Sequence, residues 1–103
     1  MGFWERMKEV LDKSIETSKD VLEKARDKAK ELGEKGMLKY EIMQLEKNAE
    51  KKIILLGTKI FELLVKEEKS SITKTTAGVK EILEDLHKIE EKIDEKEDSL
   101  KKL

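Results

Sequence analysis

The sequence lacks cysteine and proline, and aromatic residues make up only 4% of it. Without cysteine there is no disulfide and no thiolate metal site. The absence of proline, together with five glycines in 103 residues, excludes collagen-like and proline-rich chains. A two-layer α/β enzyme would need glycine-rich and aromatic-rich loops around a large apolar core. The composition therefore argues against that class of enzyme.

The sequence also lacks a long apolar run and a charge excess of one sign. No apolar stretch approaches the roughly 18 residues of a membrane span, and the opening MGFWERMKEV is charged where a signal peptide is apolar. The 23 basic and 24 acidic residues leave a net charge of −1, so no overall field attracts nucleic acid. We expect a cytoplasmic protein that binds no nucleic acid, with the membrane surface as the alternative location.

Charged residues make up 46% of the chain and hydrophobic residues 37%, a balance typical of long helices and coiled coils. The length predicts a single domain over residues 1–103. The apolar periodicity breaks at Gly33–Gly36 and in the Ser/Thr-rich stretch Ser70–Gly78, because glycine ends helices and Ser/Thr clusters mark loops and N-caps. These breaks predict three helices, over 3–32, 37–69 and 76–103, with Thr76 as the N-cap of the third.

Within each segment the apolar residues recur at spacings of three and four, which is the pattern of a helix face. Helices of similar length joined by short breaks pack as antiparallel neighbours. The predicted fold is therefore all-α, an elongated antiparallel three-helix bundle that resembles a coiled coil. Folding the chain about the second break places Ala49 opposite Lys96 and Leu56 opposite Ile89. The first helix carries Ser18, Ala25 and Ala29 on its apolar face, so it buries the least.

Candidate chemistry is sparse. Glu84 and His87 have the i, i+3 spacing of a carboxylate-bridged metal site, but the core positions Leu86 and Ile89 turn both side chains outward. A second histidine is absent, and so are glycine-rich phosphate loops. We therefore predict that the chain is not an enzyme and has no catalytic, cofactor-binding or metal-binding residues.

Gly57 stands inside the most apolar segment. A glycine there costs about 1 kcal/mol of helix stability relative to alanine. It lies near the predicted core face, so close approach of a neighbouring helix is the expected reason for it.

The extreme N-terminus concentrates apolar and aromatic residues next to basic ones. Two interpretations stay open: these side chains cover one end of the bundle, with Trp4 facing the Phe61–Val65 end of the second helix, or they contact a membrane or a partner. The candidate contact residues are Phe3, Trp4, Met7, Val10, Leu11 and Ile15.

The second and third helices carry more apolar positions than the first can cover. A second copy of the chain would cover the excess. We therefore predict a homo-oligomer, most simply a dimer, and the candidate self-association residues are Phe61, Leu64, Val65 and Leu83.

Two stretches resemble known proteins. The opening MGFWERMKEVLDKS and the following KDVLEKARDKAKELGEKG resemble the N-termini of small uncharacterised bacterial amphipathic-helix proteins, and are similar to the phage-shock and apolipoprotein-like groups. KYEIMQLEKNAEKKIILLGTKIFELL and VKEILEDLHKIEEKIDEKEDSL resemble the helical part of small bacterial coiled-coil proteins, some of which end in a zinc ribbon. This chain lacks the cysteines of such a ribbon. The resemblance implies a helical fold and no particular activity or site.

The predicted function is non-catalytic: a structural or interaction protein that presents helical faces for self-association or for binding a partner. The alternative is peripheral association with a membrane or lipid through the N-terminal amphipathic helix.

Overall fold

The computed structural model describes residues 2–12 and 19–103, and its regular elements there are all helical. The chain is elongated, with principal extents of 52 × 29 × 19 Å. The all-α prediction is confirmed. The helices are α1 (Phe3–Asp12), α2 (Lys19–Glu31), α3 (Gly33–Phe61, continued by a π-helical turn over Glu62–Lys66) and α4 (Val79–Lys101).

The predicted first helix, 3–32, is described as α1 and α2, and residues 13–18 lie outside the described part of the chain. The break after it is shorter than predicted. The left-handed turn is made by Gly33 alone (φ 77°), a conformation that costs glycine little, so α3 begins at Gly33 rather than at residue 37.

Gly36 lies inside α3, where α2 folds back against it. A Cβ added at Gly36 would lie 2.5 Å from the Ala29 carbonyl oxygen and 2.5 Å from the Leu32 Cβ. These distances leave no room for a side chain at this position. Gly36 therefore belongs to the contact between α2 and α3 and not to the turn.

The start of α4 also differs from the prediction. Gly78 is its N-cap, with φ 90°, and the Gly78 N–H donates to a Glu81 carboxylate oxygen at 2.6 Å. Hydrogen bonds from the backbone N–H groups of Glu81 and Gly78 hold the pKa of the Glu81 carboxyl below its ordinary value. The Thr76 hydroxyl instead accepts from the Thr73 N–H at 2.9 Å, inside the loop. Thr76 thus shapes the loop, and the helix starts at Val79.

The core lies where α1 crosses the groove between α3 and α4. Met7 and Ala49 are completely buried there, and Ile82 and Leu86 nearly so. Partly buried apolar side chains surround this cluster: Phe3, Val10, Ile53, Leu56, Leu83 and Ile89. The short helix α1 thus contributes the largest fully buried side chain of the cluster.

The axial register of α3 against α4 differs from the prediction by about two helical turns. Lys52 Nζ lies 3.0 Å from Asp85 Oδ2, and Lys96 pairs with Glu41. Lys96 therefore lies opposite Glu41, about two turns along α3 from Ala49, and the prediction that Ala49 and Lys96 lie opposite one another is wrong. A heptad pattern repeats every two turns, so a slide of one heptad keeps the same apolar faces together. Periodicity therefore predicts which faces of α3 and α4 meet, but it does not predict the axial position of one helix against the other.

Replacing glycine by alanine should change the stability of the protein in opposite directions at two positions of α3. Gly36→Ala should destabilise the protein by about 1–3 kcal/mol, because the new Cβ meets backbone and Cβ atoms that cannot move independently. Gly57→Ala is the matched control: an added Cβ there has nothing within 4 Å. Its better helix propensity should stabilise the protein by up to about 1 kcal/mol.

Chemical denaturation at low protein concentration, followed by circular dichroism, measures both changes. A Gly36→Ala variant as stable as the native chain would contradict the close contact between α2 and α3.

Candidate interaction surface

The second half of α3 and the π-helical turn carry a set of large apolar side chains that face solvent. Their exposed fractions lie between 43% and 57%. Ile54 and Phe61 are about two turns apart, so they lie on one face of the helix. We refer to this set as the α3 strip: Ile54, Leu55, Phe61, Leu64 and Val65.

The α3 strip continues the face of α3 that α2 covers in its first half. Gly36 and Tyr40 are buried there, and the same two residues line a groove with Ala29 of α2. Ile54 follows Tyr40 by about four turns, so it lies on the same side of α3. As described, α2 spans only Lys19–Glu31, which is less than half the length of α3. The face is therefore covered at one end and exposed at the other.

The opposite side of α3 packs into the core. Ala49 and Leu63 are buried, while Ile53 and Leu56 are partly buried against the central cluster. The π-helical turn keeps Leu63 inside while its neighbours Leu64 and Val65 stay exposed. Such turns are rare and often mark functional positions. α3 thus has one apolar side that the fold uses and a second that the described fold leaves open.

The polar side chains that lie between members of the α3 strip already have partners. The Thr58 hydroxyl donates to the Ile54 carbonyl at 3.0 Å, and Lys59 pairs with Glu62 along the helix at 3.8 Å. A surface that closed over Thr58 would therefore strand no unpaired hydroxyl.

Gly57 is exposed and lies at the edge of the α3 strip. The expectation that it permits close approach of a neighbouring helix within the chain is wrong, because a Cβ built there meets nothing within 4 Å. Its predicted place near the core face followed from its closeness in sequence to Ile53 and Ile60. The helix rotation instead turns it toward solvent.

Three of the four predicted self-association residues lie on the α3 strip: Phe61, Leu64 and Val65. The fourth, Leu83, does not, because it is on α4 and partly buried against the core. The sequence reasoning missed Ile54 and Leu55. The seven-residue spacing from Ile54 to Phe61 is the signal that could have found Ile54.

The predicted N-terminal contact residues do not share one exposed face. Met7 is fully buried, and Phe3 and Val10 pack against the core. Leu11 is partly buried, Ile15 lies outside the described residues, and Trp4 is 61% exposed. Lys8 Nζ lies 5.9 Å from the centre of the Trp4 ring. α1 contacts α3 at Ala49, so the prediction that it packs against the Phe61–Val65 end is wrong.

Charged side chains of α1 interact with charged side chains of α3 and α4. Arg6 pairs with Glu97 of α4. Partial burial raises the pKa of Glu46 on α3, Arg6 opposes that shift, and the negative charges of Glu97 and Glu9 add to it. The ionised Glu46 is therefore less favourable in the folded protein than in the unfolded chain.

The pair Glu84 and His87 faces solvent on α4. His87 Nε2 lies 3.0 Å from Glu91 Oε1, and Glu84 lies 4.0 Å from Lys80. In the described part of the chain, no three His, Cys, Asp or Glu side chains are grouped to hold a metal ion. None of the described helices is both long and apolar enough to cross a membrane.

Comparison with known proteins adds no family to this picture. No family model matches the chain, and neither a curated protein nor a solved structure matches it.

The raised pKa of Glu46 predicts how stability depends on pH. A raised pKa means that the folded protein binds the proton more tightly, so this group adds stability as the pH falls. Glu46→Gln should therefore be more stable than the native chain at pH 7. The difference should shrink as the pH falls through the folded pKa and vanish below the ordinary value of 4.5.

Denaturant titrations from pH 4 to pH 8 check this, with Glu23→Gln on the exposed side of α2 as control. If Glu46→Gln is less stable than the native chain at pH 7, the attraction to Arg6 outweighs burial and the argument fails.

Proposed function

We propose that this protein is a non-catalytic interaction module that self-associates through the α3 strip. The observation that supports this is the exposure of Ile54, Leu55, Phe61, Leu64 and Val65 on consecutive turns. Scattered exposed apolar residues are ordinary on a protein surface, whereas a contiguous patch usually marks an interaction site.

The fold of the described residues does not account for these side chains. The central cluster of Met7, Ala49, Ile82 and Leu86 closes without them. Nearly half of the chain is charged, so polar residues are common at exposed helical positions elsewhere. Ile54 and Phe61 are each more than half exposed, so lysine or glutamate at either position would cost the described monomer little burial. A second apolar surface that covers the strip would account for them.

The alternative function, membrane or lipid association through residues 3–15, has less support. Met7 is the most buried large side chain of α1, and Phe3 and Val10 pack beside it. Insertion of this face into a lipid surface would first require its removal from the core, which costs roughly 2–5 kcal/mol for a buried methionine. Trp4 is the aromatic side chain of α1 that already faces solvent.

Self-association predicts a measurable effect of one charge on the α3 strip. Phe61→Asp should convert a concentration-dependent oligomer into a monomer, because a carboxylate cannot be buried against apolar side chains without a large penalty. Leu103→Asp is the matched control, since Leu103 is equally exposed, at 58%, but lies away from the strip. Sedimentation equilibrium over a wide concentration range measures both.

Helix content should be the same in both variants. A native chain that stays monomeric at every concentration contradicts the proposal, and so does an oligomer that Phe61→Asp leaves intact.

Trp4 provides the test of the lipid alternative. Its fluorescence in buffer should be that of a solvent-exposed indole, and anionic vesicles should leave its emission wavelength unchanged, because α1 stays packed on α3 and α4. Met7→Ala weakens that packing and is the comparison variant. A blue shift of the native protein on vesicle addition would favour the lipid function over the one proposed.

A further inference from the structure

We propose that the α3 strips of two copies pair in antiparallel orientation about a two-fold axis, with Phe61 of each copy packed against Gly57 and Thr58 of the other. This inference rests on the proposed self-association and adds its geometry. The occupant of the α3 strip is then a second copy of this chain.

The first step is the glycine. Gly57 lies in the middle of a long helix, where it costs about 1 kcal/mol relative to alanine. It is exposed, and the space where its Cβ would lie is open. Contacts within the described chain therefore give no reason for a glycine, in contrast to Gly36. The missing side chain of Gly57 leaves a notch beside the α3 strip. Such a notch can accommodate a bulky side chain of another molecule.

The second step is the match of sizes. In an antiparallel pair centred between Thr58 and Phe61, Ile54 of one copy lies opposite Val65 of the other. Thr58 of each copy lies opposite Phe61 of the other, so the two-fold axis produces this contact twice. In these two inner layers a large residue faces a small one, so the layers interdigitate. A two-fold interface requires this self-complementarity, since one patch supplies both sides.

A parallel pair fits less well. It would place Phe61 on Phe61 and Thr58 on Thr58, so the layers would alternate between overfilled and underfilled. The notch at Gly57 would then face Glu62 of the second copy, a charged residue that cannot fill an apolar gap. The antiparallel arrangement puts Phe61, the largest side chain of the strip, over the small residues Gly57 and Thr58 of the other copy.

The third step is area. The strip residues are about half exposed, which corresponds to roughly 450 Å² of apolar surface per copy. With the aliphatic stems of flanking residues, the pair would bury on the order of 1,200 Å² in total, the lower end of specific interfaces. The dimer should therefore dissociate on dilution rather than behave as a permanent assembly.

The absence of native cysteine makes disulfide trapping a clean test of orientation. Leu55 of the strip and Glu62 beside it lie on the same side of α3, and antiparallel pairing brings one against the other. A mixture of Leu55→Cys and Glu62→Cys chains should form a mixed disulfide dimer under mild oxidation, while neither variant crosslinks efficiently alone. Ile54→Cys should not crosslink to itself, because the two copies of residue 54 lie about 17 Å apart along the axis.

Efficient self-crosslinking of Ile54→Cys, with no mixed dimer from the other pair, would overturn the antiparallel geometry and leave self-association standing. A native chain that is monomeric in sedimentation equilibrium would contradict both the antiparallel geometry and the proposed self-association. The two failures are therefore distinguishable.

Gly57→Gln tests the notch separately. Glutamine is a good helix former and its Cβ would have nothing within 4 Å, so the monomer should fold with equal or greater stability. The dimer dissociation constant should rise about tenfold or more, because the side chain occupies the space of Phe61 from the second copy. An unchanged or lower dissociation constant would overturn the role of Gly57.

Discussion

The packing of Met7 onto Ala49, in the groove between α3 and α4, is the contact on which the rest of the structure depends. Both residues are completely buried, with Ile82 and Leu86 closing the cluster from α4. Alanine at position 49 leaves a gap that a long, unbranched side chain can fill, and methionine adapts to such gaps better than branched residues do. α1 is thereby held across the middle of the bundle, and Arg6 and Glu97 pair at its edge.

The position of α1 decides what remains exposed. With α1 on the groove between α3 and α4, and α2 folded back over the first half of α3, the described helices leave the face that begins at Ile54 open. The close contact at Gly36 holds α2 to that first half. The exposure of Phe61 and Val65 is therefore a consequence of how two short helices divide the surface of one long helix, and the proposed dimer follows from that division.

Part of this surface could be predicted from the sequence. The excess of apolar positions at Phe61, Leu64 and Val65 was visible, because an amphipathic helix with too broad an apolar face needs a second cover. Leu83 was misplaced since an apolar residue beside a heptad position can turn either into the core or away from it. Periodicity alone does not rank these two outcomes. Gly57 was misplaced for the same reason, by less than half a turn.

The sequence by itself determined the class of the fold: the absence of proline, the spacing of apolar residues and the glycine and Ser/Thr breaks specify helices and roughly where they end. Only the tertiary structure decided the axial register. Lys96 lies opposite Glu41 and not opposite Ala49, because a helix pair can slide by one heptad without changing which faces meet. The choice between such registers depends on side-chain fit, and the cluster of Met7, Ala49, Ile82 and Leu86 exists only once three helices are assembled.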